Sequence, residues 1–181
     1  MNSILMSIQP KWCEKILNGD KTVEIRKTCP KELPFKVYIY QTKKHWIYKI
    51  LKWLGLWQGK VVGEFIVNRI DELKQLNCGI AYNVDKKYSN NTLELCKSSC
   101  LTYNEITEYL NKKDGYVWHI SDLKIYDKPK SLSEFKVLCK NYANSCDEYC
   151  GFFKNGLCEC GYKLLTRAPQ SWQYVEKVEE E

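Results

Sequence analysis

Four β-rich runs, two of them alternating strictly between apolar and polar or aromatic faces, limit the fold more than any other feature. KTVEIRK (Lys21–Lys27), KVYIYQT (Lys36–Thr42), KVVGEFIVNRI (Lys60–Ile70) and GYVWHISDLKIYD (Gly115–Asp127) all read as β-rich segments, with Gly63 placed to allow a bulge or a close backbone approach. In the first run Val23 and Ile25 point one way while Thr22, Glu24 and Arg26 point the other, so one face carries a carboxylate beside a guanidinium. ILMSI (Ile4–Ile8) reads as a short buried strand. Helical spacing occurs only singly between these runs. Pro10 suits a first helical turn, Cys13, Ile16 and Leu17 share a face, and Gly19 is the natural stop, which predicts a helix over 11–18. Thr102 and Glu105 have capping-box spacing ahead of a second helix over 103–112. Strands outnumber helices without alternating regularly with them, so the expected class is α+β with a strongly bent, mixed or antiparallel sheet.

A chain of 181 residues, 44% of them hydrophobic, is long enough for one well-packed core, and a single domain over 1–181 is expected. Two segments read as insertions. The first, at about 45–57, is amphipathic, with Ile47, Ile50, Leu51 and Leu54 on one face, which suits a helix packed on the core, a membrane-surface contact or a lid. The second spans about 138–161 and is rich in cysteine. The stretch NVDKKYSNNT (Asn83–Thr92) is polar and predicts a surface loop. A net charge of +6 serves solubility or an acidic partner such as RNA or DNA. The opening residues lack the pattern of a secretory signal, and no apolar run approaches the ~20 residues of a membrane span. A cytoplasmic protein is therefore expected.

Ten cysteines in a reducing compartment call for free thiols or metal ligation rather than disulfides. Cys146, Cys150, Cys158 and Cys160 follow C-x3-C-x7-C-x-C, with Cys139 as a spare candidate. They are close enough for a four-thiolate structural zinc, whose binding would supply folding energy to a segment with little core; a set of free thiols is the alternative. Cys96 and Cys100 read as small buried residues, and two histidines are too few for a histidine-based metal centre. No organic cofactor is expected.

The spacing G-x-K-x-x-E-x-R, formed by Gly19, Lys21, Glu24 and Arg26, resembles the signature of ASCH domains. The blocks GKVVGEF, GYVWHISDLKIYDKPKSLSEF and RAPQSWQYVE are similar to a bacterial and phage branch of that superfamily, so the resemblance covers roughly two-thirds of the chain. It implies a PUA-like bent β-barrel of about five or six strands with two or three helices, whose cleft takes RNA or a modified nucleobase. Some members resemble amidohydrolases of N4-acetylcytidine, in which the motif lysine and a threonine three residues later carry catalysis. Lys21 is present here, but the later position is Glu24. Other members are similar to ribonucleases.

Lys21 begins the first alternating run, where a turn can direct its ammonium to bind phosphate or polarise a carbonyl, while Glu24 accepts a proton or a base-edge N–H. These two are the catalytic candidates. Arg26 orients Glu24, and Gly19 shapes the turn. Tyr40 or Trp118 is expected to supply a stacking platform and His119 to line the cleft, the alternative being Trp118 in the core and His119 a satisfied edge histidine; Ser171 and Trp172 close the cleft or only cap the barrel. Three functions fit: binding of RNA or a modified nucleoside, deacylation of an N4-acylcytidine, and a protein-interaction module built on the face from Trp46 to Trp57. Alanine at Lys21 or Glu24 is expected to abolish ligand binding or turnover with thermal stability nearly unchanged.

Overall fold

The computed structural model describes residues 1–43, 59–76, 79–84, 87–89, 92–138, 153–154, 157–158 and 162–178. The face from Trp46 to Trp57 and Cys139, Cys146, Cys150 and Cys160 lie outside the described residues, and of Cys158 only the backbone is described. The chain forms two compact units.

The first unit comprises Met1, Lys11–Lys36 and Phe65–Lys124. Its sheet has five strands in the order β2-β8-β5-β6-β7. These are β2 (Val23–Arg26), β5 (Ile70–Leu76), β6 (Gly79–Val84), β7 (Lys87–Ser89) and β8 (Gly115–His119). Every pairing among β2, β8, β5, β6 and β7 is antiparallel. Three helices accompany the sheet: α1 (Pro10–Leu17), α2 (Leu93–Ser99) and α3 (Tyr103–Leu110). The core of this unit is one apolar cluster in which Val23, Ile25, Leu73 and Val117 from the strands meet Leu95 of α2 and Ile106 and Leu110 of α3.

Local sequence explains how these elements begin and end. Gly19 takes φ +78°, a left-handed conformation that suits glycine, and its N–H donates to Ile16 O at 3.0 Å to close α1. The chain then turns back on the helix, with Lys21 N donating to Lys15 O at 2.9 Å. The capping box expected at α3 is present: Thr102 accepts from Glu105 N, and the Glu105 carboxylate accepts from Thr102 N. At Gly115 a side chain would meet Leu110 Cδ2 at 2.5 Å and Arg26 O at 3.2 Å, so only glycine lets β8 start this close to β2 and α3.

The second unit, Asn2–Pro10, Val37–Glu64 and Ile125–Glu181, holds most of another five-stranded sheet, ordered β14-β1-β3-β4-β9. These strands are β1 (Asn2–Ile8), β3 (Phe35–Gln41), β4 (Val61–Val67), β9 (Ser121–Lys130) and β14 (Trp172–Tyr174). A smaller ladder joins β10 (Phe135–Leu138) to β13 (Tyr162–Leu164) and β15 (Glu176–Lys177), and β11 (Phe153–Lys154) pairs with β12 (Leu157–Cys158). Leu5, Tyr38, Tyr40, Val61, Phe135, Leu165 and Val175 form its core.

The α+β class stands as expected. Among the described residues the strands form open ladders, and no sheet closes into a barrel. The polar stretch expected to be a loop contains the end of β6 and all of β7, because pairing with β6 recruits Lys87–Ser89. No described helix is long and apolar enough to cross a membrane.

Candidate functional site

Backbone ties place the motif lysine. Thr22 N donates to Ser98 O at 2.8 Å, and Thr22 O accepts from Ile120 N at 3.0 Å, so the segment before β2 is held between the end of α2 and the strand partner β8. That anchorage lets Lys21 bend out of strict alternation. Its ammonium donates to Ser99 O at 2.7 Å and lies 3.2 Å from Glu24 Oε2. Glu24 Oε1 is 3.0 Å from Arg26 Nε. The three charges therefore form one row, Lys21–Glu24–Arg26, and all are buried, Lys21 to 2% exposure. Two cations face one carboxylate in a poorly solvated setting, which leaves a surplus of positive charge where the field is weakly screened.

Three neighbours complete the site. Trp12 on α1 is half-buried, and its ring centroid stands 5.5 Å from Lys21 Nζ. Cys13 is buried against the row; burial pushes its thiol well above the ordinary range, Glu24 adds to the shift and Arg26 opposes it, so the group stays a thiol rather than a nucleophilic thiolate. Tyr109 of α3 carries Lys27 Nζ 5.2 Å from its ring centre, and burial raises its phenol while Arg26 acts the other way. Sequence reading missed Trp12, whose place in the helix next to Lys11 carries no local signal of proximity to Lys21. It also missed the Ser99 carbonyl, a backbone group that no residue type reveals.

The strand register sorts the remaining candidates. Glu24 is opposite Trp118, and Val23 is opposite His119, so Trp118 shares the face of Glu24 while His119 lies on the other. Trp118 does not serve as the expected stacking platform: it is fully buried and meets Phe35 edge-on at 5.2 Å between centroids. Tyr40 belongs to the second unit, where it is 7% exposed within the core cluster, and it too presents no open face. Ser171 and Trp172 also belong to the second unit. Ser171 O accepts from Ser7 N at 2.9 Å, and Trp172 pairs with Met6 and packs edge-on against Tyr174.

His119 enters a different network. Its Nε2 is 2.6 Å from Asp71 Oδ2, Tyr82 OH donates to the same oxygen at 2.8 Å, and Arg69 Nε donates to Asp71 Oδ1 at 2.9 Å. Burial works against ionisation of Asp71, but the hydrogen bonds from Arg69, His119 and Tyr82 outweigh it and hold the carboxyl below its usual range. Burial, reinforced by Asp71, raises the Tyr82 phenol. Asp71 on β5, Tyr82 on β6 and His119 on β8 thus tie three strands together.

Against the expectation of nearly unchanged thermal stability, burial predicts a cost for truncating Lys21 or Glu24. Each is the buried partner of an opposite charge, and removing either strands the remainder away from water. Among the described residues no group of three or more His, Cys, Asp or Glu is placed to hold a metal ion.

A mixed α+β fold with a charged row at a helix-to-strand turn is the class these features define. Its particular form is the fold of an ASCH domain. The chain is similar to the solved structure of ASCH from Zymomonas mobilis at TM-score 0.57 and 16% identity, over 97% of this chain and 89% of that one. A tyrosine-to-phenylalanine mutant of the Zymomonas mobilis protein matches at TM-score 0.55 and 14% identity over 98% and 92% of the two chains. A serine-to-alanine mutant matches at TM-score 0.56 and 14% identity over 97% and 89%. No protein-family model and no curated protein matches the sequence.

Proposed function

We propose that the protein binds RNA or a modified nucleobase at the Lys21–Glu24–Arg26 row, with Trp12 as the aromatic surface on which a base stacks. The observation that carries this reading is the pairing of a buried, positively biased row with a half-buried indole 5.5 Å from its lysine. A ring of that kind accepts the π-face of any base, and surplus positive charge favours a phosphate or a carbonyl-rich edge. The ASCH fold supports ligands of this class by analogy only.

Lys21 donates to Ser99 O and is paired with Glu24 at 3.2 Å, an arrangement that suits a cation holding an anion or polarising a carbonyl. Binding is therefore the leading reading, and hydrolysis of an N4-acylcytidine or of RNA is the further activity to test at the same residues. Cys146, Cys150, Cys158 and Cys160 are proposed to hold a structural zinc on the strength of their spacing.

Fluorescence anisotropy with a labelled single-stranded RNA tests the main reading. Affinity should fall steeply as salt rises, since neutralised phosphates release counterions. Lys21→Gln, which removes the row's excess cation, and Trp12→Ala should each weaken binding about tenfold. Salt-independent binding, or full affinity in both variants, would remove the site from consideration. Turnover of N4-acetylcytidine without RNA binding would instead favour the amidohydrolase.

A further inference from the structure

Trp12 carries a second cation. Lys11 Nζ lies over the indole at 4.0 Å from its centroid, nearer than Lys21 Nζ at 5.5 Å. The same ammonium is 3.7 Å from Glu105 Oε1. Glu105 is fixed by its duty as a helix cap, since its Oε2 accepts from Thr102 N at 2.9 Å and from Thr102 Oγ1 at 3.0 Å. Lys11 is thus parked on the ring by a carboxylate whose position is set by the start of α3. Its side chain is nonetheless 51% exposed, so the contact is one that solvent and ligand can reach and displace.

A base that stacks on this face of Trp12 must move the Lys11 ammonium aside. The ammonium then gives up its ring contact and its ion pair with Glu105. A neutral nucleoside offers it nothing in exchange, whereas a phosphate offers a charge-assisted hydrogen bond. Resting on the reading of Trp12 as the stacking surface, we propose that Lys11 is a displaceable cover that makes the site selective for phosphate-bearing ligands, a nucleotide or an RNA strand, over the free nucleoside.

Calorimetric titration of the full chain with each of the four ribonucleosides and its 5′-monophosphate tests this. For the base that binds, the monophosphate should be favoured roughly 5- to 10-fold at low salt, and the advantage should shrink as salt rises. Lys11→Gln should bind the nucleoside more tightly and the monophosphate less tightly, bringing the ratio to about one, while Lys11→Arg should keep the preference. Circular dichroism confirms that each variant is folded. Equal affinities for nucleoside and monophosphate in the wild type, or an unchanged ratio in Lys11→Gln, overturns the cover while leaving base binding intact. Absence of binding to all eight compounds and to a single-stranded RNA oligonucleotide overturns the nucleic-acid reading and the cover together.

Discussion

The sheet of the first unit carries a polar network on each of its faces, one wholly buried and one around the buried Asp71, and the two are built on opposite principles. On one face Lys21, Glu24 and Arg26 place two cations around one carboxylate. On the other, Asp71 gathers hydrogen bonds from Arg69, Tyr82 and His119 so that both of its oxygens are engaged. The second network closes on itself and ties β5, β6 and β8 together. The first keeps a charge surplus beside a half-buried indole, as a binding site would. Burial of a charged residue does not by itself distinguish structure from function; the charge balance and the nearest accessible aromatic are what favour the first network as the proposed site.

The largest effect that could break this comparison is expected at Glu24. Glu24→Ala leaves two cations buried together and should cost roughly 3–5 kcal/mol in urea unfolding. A stability change within experimental error would show the row to be solvated. Asp71→Ala should cost less, roughly 1–3 kcal/mol, because Arg69 and His119 are partly exposed and regain water; RNA affinity should be retained. Reduced RNA affinity in a folded Asp71→Ala protein would merge the two networks into one site.

Acid sharpens the contrast further. The Asp71 carboxyl is held below its ordinary value of 3.8, so its contribution to stability is fully present above that value and disappears as pH falls through the lowered one. Tyr82 titrates in the other sense: its raised phenol contributes fully below the ordinary value of 10, and that contribution is lost as pH climbs from there through the raised value. Thermal melts from pH 5 downward should therefore fall more steeply for the wild type than for Asp71→Asn, and parallel curves would refute the assignment. Trp12→Ala should have the smallest stability effect, about 1 kcal/mol for a half-buried ring, beside an approximately tenfold loss in RNA affinity. Metal analysis of the purified chain checks the cysteine proposal independently, with about one zinc per chain expected and a small fraction of an equivalent counting against it.

Much of the first unit was legible. The alternation of Val23 and Ile25 marked β2, Gly19 marked the end of α1, and Thr102 with Glu105 marked the cap of α3, because each is a local rule in which residue type dictates backbone geometry. Helix α2 showed only as a possible helix turn at Cys96 and Cys100, since its buried face amounts to Leu95 and Ser99 and offers little periodicity. Strand β6 did carry a signal, the alternating Ile80 and Tyr82, which went unread beside the polar stretch that follows.

The sequence by itself determined that a lysine, a glutamate and an arginine stand at a helix-to-strand turn, because spacing along a strand fixes which side chains share a face. Tertiary structure alone decided their partners. The fold brought the Ser99 carbonyl to Lys21, set the Trp12 ring beside it and covered Trp118 with Phe35. Those contacts join residues distant in sequence, and the energy that selects them is burial of the common core, which no local pattern of residue types encodes.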